Sequence, residues 1–172
     1  MLSFETILGL RCYLDAQPTA TIGLVPTMGA LHQGHHSLID RARQENDLVI
    51  VSIFVNPLQF ALGEDLDKYP RQLAADRQLC LEAGVDLIFN PTSESLNLGD
   101  ELTQVLPPAS LTSGLCGRSR PHHFTGVATI VTKLLQIARP TNSYFGQKDA
   151  QQVAIIQKLA QDLYLPGRIV TT

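Results

Sequence analysis

Apolar and polar positions along the chain follow two periods in alternation. Thr21–Thr27, TIGLVPT, is a short β-branched run that Pro26 and Gly29 stop, and it reads as a buried strand. From Gly34 to about Gln44, Leu38, Ile39 and Ala42 share one helical face. Leu48–Val55, LVIVSIFV, is apolar almost throughout, as strands covered on both faces are, and Asn56-Pro57 ends it. The pattern turns helical from Tyr69-Pro70 to Ala83, with Pro70 in the first turn and Gly84 past the end. Val85–Phe89 follows as a strand. His123 to Arg139 is the clearest helix: Phe124, Val127, Ile130, Val131, Leu134, Leu135 and Ala138 recur every three or four residues until Pro140. Ser143–Phe145 is a fourth short strand. Asp149–Leu163 places Val153, Ile156, Leu159 and Leu163 on one helical face, and Gly167–Thr172 opens a fifth strand.

Strands alternating with helices predict an α/β fold of one domain over residues 1–172. It is expected to be a Rossmann-like, doubly wound, mostly parallel sheet with helices on both faces. Ligands of such sheets sit beyond the carboxyl ends of the strands. The segments in question are Pro26–His36, Asn56–Phe60, Pro91 onward and Gly146–Gln152. The stretch Asn90–Leu111 has little periodicity and no chemistry is assigned to it.

Composition narrows the function. The 172 residues are 44% hydrophobic and 17% charged, enough apolar material for a proper core. A net charge of −3 gives no basic excess for neutralising a nucleic-acid backbone, whereas a small anionic ligand needs only a few local donors. No apolar run approaches the ~20 residues of a transmembrane helix. The first residues, MLSFETILGLRCYL, carry Glu5 and no basic residue before the apolar stretch, unlike a signal peptide. Cys12, Cys80 and Cys116 are odd in number and form no CxxC pair, which fits free thiols in a cytoplasmic protein.

The loop after the first strand, PTMGALHQGHHSLI, is the richest in chemistry. Gly29 and Gly34 allow a tight turn and close backbone approach. His32 and His35, three apart at a helix start, share a side. The unpaired amides of a helix N-terminus favour a phosphate, and two imidazoles there can donate to its oxygens as charge develops. On residue type alone, a metal site at His32, His35 and His36, or plain surface histidines, remain open. No carboxylate or thiolate accompanies them as a metal ligand. The dinucleotide fingerprint G-x-G-x-x-G is missing from this turn.

HQGH (His32–His35) resembles the HxGH signature of the adenylyl-transferring nucleotidyltransferases. VPTMGALHQGH, VSIFVNPLQF, YPR, SRPHHFTGVATIVTKLLQI and YFGQKDAQQ, in that order from about Leu24 onward, together resemble the pantothenate synthetase (pantoate–β-alanine ligase) family. The resemblance implies that ATP and pantoate form an acyl adenylate with release of pyrophosphate, and that β-alanine then displaces AMP. It implies an ATP loop of Met28, Gly29, Ala30, Leu31, His32, Gln33, Gly34 and His35, with His32 and His35 at the phosphates and His35 as proton donor. It implies a second ATP segment of Gly146, Gln147, Lys148 and Asp149, with Lys148 also catalytic. Gln59 and Gln152 would hold pantoate, Gln59 lying near the incoming β-alanine. Mg²⁺ accompanies the nucleotide, with no dedicated protein metal site, and a homodimer is what the family suggests.

The residue types suit these roles. Pantoate's carboxylate must stay free to attack phosphorus, which favours neutral amides over a clamping arginine, and Pro26, Met28 and Phe60 offer apolar walls for its methyls. Lys148 suits the charge on the phosphates. Asp149 is open between ribose and Mg²⁺. Without the resemblance, Lys148 and Asp149 read as an exposed turn and helix cap, and Gln59 and Gln152 as solvated polar positions. Arg120 and His123 match family positions that approach nucleotide or substrate, His122 reads as a surface histidine, and Asn56 as a residue that fixes its loop.

Two departures stand out: Gln147 where the family commonly has Glu, and no YPxG-like turn in Ser93–Asp100. The family continues beyond the counterpart of Thr172 with a serine-rich loop that closes on the phosphates and a smaller C-terminal domain. The resemblance therefore makes residues 1–172 an N-terminal domain, expected to bind pantoate measurably and ATP weakly, with little turnover by itself.

Overall fold

The computed structural model describes residues 1–60, 66 and 68–172. In chain order these form β1 (Leu2–Phe4), α1 (Ile7–Asp15), β2 (Ile22–Thr27), α2 (Gln33–Glu45), β3 (Leu48–Ile53) and a 3-10 turn at Pro57–Gln59. Then come α3 (Leu73–Glu82), β4 (Leu87–Phe89), the short α4 (Ala109–Thr112) and α5 (Leu115–Ser119), and α6 (His123–Ala138). β5 (Asn142–Phe145), a second 3-10 turn at Gln147–Asp149, α7 (Ala150–Asp162) and β6 (Arg168–Thr171) complete the chain.

The strands make one sheet in the order β1-β4-β3-β2-β5-β6, every neighbouring pair parallel. The chain steps outward from β2 through β3 to β4, and α6 then carries it back to the opposite flank at β5. The order therefore reverses between β2 and β5, the place where open α/β sheets bind ligands.

Both faces are covered, which is why the strands read as continuous apolar runs. Successive residues point to opposite faces. Leu24, Ile50, Leu87 and Phe89 pack with Leu10, Leu14, Val127, Leu135 and Ile156 of α1, α6 and α7. Val25, Val49, Val51, Ile88 and Tyr144 pack with Leu38, Ile39, Ala42 and Cys80 of α2 and α3.

The sheet has six strands where the sequence pattern predicts five, and it is parallel throughout. The missed pair is β1 and α1. A three-residue strand is too short to display a period, and α1 buries only Leu10 and Leu14. The readable signal was Thr6, whose hydroxyl accepts from the Gly9 amide as an N-cap. The helix predicted from Tyr69-Pro70 starts only at Leu73. Asn90–Leu111 drapes over α6: Lys133 Nζ donates to the Leu96 carbonyl, the Val105 amide donates to Thr129 Oγ1, and Leu96 is fully buried. The three cysteines are free, Cys80 buried and Cys12 and Cys116 exposed.

Pro26 does not stop β2. The strand runs through it to Thr27, paired with β3 as far as Thr27↔Ile53, while pairing with β5 ends at Leu24↔Ser143. Proline has no N–H for a ladder. The sheet therefore stays zipped on the β3 side and lapses on the β5 side at the switch point.

Candidate active site

A cleft of about 410 Å³ opens where the β2–β5 pairing lapses. One wall is the loop from Pro26 to the start of α2, and the other is the turn after β5. α6 forms an apolar floor through Val127, Ile130, Val131 and Leu134, and Asn56, Gln59 and Gln152 bring amides to the rim.

The first wall is organised by its own histidines. His32 is the N-cap of α2. Its Nδ1 accepts from the Gly34 amide at 3.0 Å, while the His32 amide donates to His35 Nδ1 at 3.3 Å. Each Nδ1 accepts from a backbone N–H, so each neutral ring carries its proton on Nε2. The rings lie 4.2 Å apart between centroids. The expectation that free helix-terminal amides face the ligand is therefore corrected at Gly34, because the His32 ring takes that amide. Gly34 is required by this packing, since a Cβ there would come within 2.9 Å of His32 Cε1. Burial first, and then neighbouring His32, hold the pKa of His35 below its ordinary 6.5, with Asp76 and Asp149 opposing. His35 is a neutral donor at neutral pH.

The second wall is the GQKD turn. The Gln147 amide donates to the Thr172 carbonyl at 2.9 Å and the Thr172 amide to the Phe145 carbonyl at 3.1 Å, so the end of β6 ties it down. Lys148 and Asp149 are exposed on this wall, and a Cβ at Gly146 would meet nothing within 4 Å.

Gln59 is held from behind. Asn56, nearly fully buried, donates from Nδ2 to Gln59 Oε1 at 3.1 Å and to the Gly126 carbonyl at 3.2 Å, and its Oδ1 accepts from the Leu58 amide. With its carbonyl oxygen engaged, the Gln59 side chain keeps its NH₂ as a donor. Among the described residues the Gln152 side chain has no hydrogen-bond partner, whereas neighbouring Gln151 bonds the carbonyls of Leu111 and Gly114.

Met28, His32, Gly34, His35, Gly146, Gln147, Lys148, Asp149, Gln59 and Gln152 all line this cleft. Gly29, Ala30, Leu31 and Gln33 do not. Gly29 lines a neighbouring cavity of about 330 Å³, which shares Met28 and Phe54 with the cleft. Of the expected apolar walls, Pro26 and Met28 are in place, but Phe60 stacks edge-on to Tyr69 and lies beneath the Arg120 guanidinium. Arg120 and His123 support the turn instead of lining the cleft: Arg120 Nη2 and His123 Nδ1 reach the Gln59 carbonyl at 3.1 and 3.0 Å. The α6 floor, Phe54 and Tyr144 line the cleft without a sequence signal of their own, because core and cleft faces of an apolar helix or strand share one period.

The family model for pantoate–β-alanine ligase matches residues 3–172. The chain belongs to the pantoate–β-alanine ligase family. It is 61% identical to the bifunctional pantoate ligase/cytidylate kinase of Acaryochloris marina (strain MBIC 11017), over 96% of this chain and 34% of that protein. Pantothenate synthetase from Thermus thermophilus superposes over 100% of the chain and 61% of its own, with TM-score 0.94 and 45% identity. The pantoate–β-alanine ligase of Francisella tularensis, complexed with beta-gamma ATP and β-alanine, gives TM-score 0.96 and 43% identity over 100% of the chain and 66% of its own. The chain thus spans about a third of the length of the bifunctional relative and under two thirds of these ligase structures. Among the described residues no helix is long and apolar enough to cross a membrane.

Proposed function

We propose that this chain supplies the nucleotide- and pantoate-binding part of a cytoplasmic enzyme that joins pantoate to β-alanine at the expense of ATP. The observation that carries the reading is the convergence of two imidazole Nε2–H donors, Lys148 and the Gln59 and Gln152 amides on one apolar-floored cleft at the switch point. Gln59 and Gln152 hold pantoate by its hydroxyls and carboxylate, with the methyls against α6. The carboxylate attacks the α-phosphorus of ATP, a carboxylate–phosphorus bond forms, and pyrophosphate leaves. His32, His35 and Lys148 donate to the phosphate oxygens as their charge grows. The β-alanine amine then attacks the acyl carbon, and AMP departs with the oxygen that had bridged to phosphorus.

Among the described residues no three His, Cys, Asp or Glu gather into a metal cage. Asp149, on the cleft wall, is the carboxylate that would hold an Mg²⁺ ion accompanying the nucleotide. Bound there, Mg²⁺ would supply charge neutralisation for the leaving pyrophosphate.

The test is ATP–pyrophosphate exchange in the full-length protein. Exchange that requires pantoate supports the reading. Exchange that proceeds on a phosphate ester and ignores pantoate assigns the cleft to another nucleotidyltransferase. Because the chain covers about a third of its bifunctional relative, residues 1–172 alone are expected to bind pantoate and turn over slowly or not at all. Calorimetry beside a turnover assay checks this, and full-length rates from the short chain would contradict it.

Two further outcomes are expected. Gln59→Ala and Gln152→Ala each weaken pantoate binding by about 1–3 kcal/mol, because polar groups of a buried ligand lose a partner. Unchanged calorimetric affinity in both puts the pantoate elsewhere. The second concerns His35, whose pKa lies below 6.5 in the free protein. A triphosphate beside it raises that pKa, so the bound state holds more proton and ATP affinity climbs as pH falls from the bound pKa to the free one, levelling off below it. Binding enthalpies in buffers of different ionisation heat should show a proton uptake that His35→Ala lacks. Equal uptake in both proteins means that His35 takes up no proton when ATP binds.

A further inference from the structure

Asp76, on α3, is a carboxylate 3% exposed, buried between its helix and the turn that follows β2. Among the described residues no basic side chain pairs with it. Instead Oδ2 accepts from the Ala30 amide at 3.0 Å and Oδ1 from the Leu31 amide at 2.7 Å. A buried carboxylate is costly unless hydrogen-bonded, so these two amides are what make the position tenable.

The turn has the reciprocal need. Gly29 and Ala30 both lie in the left-handed region, with φ of +81° and +51°, and at Ala30 a Cβ makes that conformation unfavourable. The Gly29 amide donates to Thr27 Oγ1, whose own hydroxyl donates to the Ser52 carbonyl on β3. Three successive amides, of residues 29, 30 and 31, are therefore taken by side chains of the protein itself. The fit is close: a Cβ at Gly29 would lie 2.9 Å from Asp76 Oδ2. The next residue after the clamped amides is His32, whose ring caps α2 and faces His35.

We propose that Asp76 is a positioning residue: by binding the Ala30 and Leu31 amides it fixes the turn that delivers His32 and His35 to the nucleotide phosphates before any nucleotide is present. The inference rests on the ligase reading of the cleft and adds a division of labour to it. The amides of residues 30 and 31 are committed to Asp76, and the phosphates are met by imidazole and lysine side chains. The amides that hold pantoate, Gln59 and Gln152, stand on other elements, and the clamped turn offers it only the Met28 side chain as an apolar wall.

The experiment uses the full-length protein. In the wild type without ATP, amide hydrogen exchange at Ala30 and Leu31 should already be slow, and ATP should leave it nearly unchanged. Amides that exchange freely until ATP is added would have the phosphates as partners, and the proposal falls. In Asp76→Asn one side-chain oxygen becomes an NH₂ group facing an N–H. Exchange at both amides should quicken and pantoate-dependent pyrophosphate exchange should fall about 10²-fold, the scale of a displacement of about 1 Å at a reacting group. Pantoate affinity should stay within about twofold, as expected for an independent site. A folded Asp76→Asn protein with wild-type ATP affinity and rate overturns the proposal, as does one that loses pantoate and ATP equally. If the variant does not fold, the wild-type amide measurement decides alone. A wild type with no pantoate-dependent exchange defeats the ligase reading, yet the amides still report whether Asp76 holds the turn.

Discussion

His35→Ala in the full-length protein should slow pantoate-dependent pyrophosphate exchange by about 10²–10³-fold, the cost of losing one donor aimed at developing charge. Pantoate affinity should change little, because Gln59 and Gln152 stand on the Pro57–Gln59 turn and α7, away from the α2 terminus. The substitution also takes the acceptor from the His32 amide and so loosens the cap of α2, worth about 1 kcal/mol of stability. That loss shows in the melting temperature and is separable from the rate. His35→Asn is the useful companion, since an amide oxygen restores an acceptor for the cap without an imidazole for the phosphates. Recovered stability with a depressed rate is the expected pair of results. A near-normal rate in either variant would remove His35 from the chemistry.

The second large effect is expected at a residue that has no side chain of its own. Gly126→Ala places a methyl where α6 and the NPLQ turn touch backbone to backbone: its Cβ would stand 2.2 Å from the Leu58 carbonyl oxygen and 2.6 Å from the Gln59 nitrogen. Neither side is a flexible side chain, so the turn itself must move. Overpacking of this kind costs about 1–3 kcal/mol of stability. The displacement is passed directly to Gln59, so pantoate-dependent turnover should fall by about 10²-fold if the amide shifts by ~1 Å. The Asn56 bond to the Gly126 carbonyl ties the same two segments and would be strained with them. Denaturant melts with pantoate titrations check both. A stable variant that binds pantoate normally would mean the turn can give way without carrying Gln59 with it.

The fold was legible wherever a period had length enough to show. LVIVSIFV and the run from Phe124 to Ala138 announce a central strand and a buried helix in any context. Leu2–Phe4 does not, because three residues on a sheet edge carry no period, and its partner helix offers only the Thr6 cap and two buried leucines as signals. The candidate site was legible to the extent that its side chains are rare types in motif order, as His32, His35, Gln59, Lys148 and Gln152 are. Residues that act through packing were not. Val127 and Ile130 line the cleft with the side chains expected of core. Asp76 sits in a helix where an acid ordinarily faces water. Arg120 and His123 carry charge or a titratable ring but are used on the Gln59 carbonyl, a role that only the fold reveals.

Pro26 has a thermodynamic consequence for whatever enters the cleft. Two parallel strands with a full complement of donors would close against each other, and a ligand arriving between them would have to compete with their hydrogen bonds. Here the pyrrolidine ring denies one donor to the β2–β5 seam, which lapses after Leu24↔Ser143. The cost of leaving the seam open is already contained in the folding free energy. Binding at this place then involves little reorganisation of the sheet, and the ordering entropy left to the ligand is mainly its own.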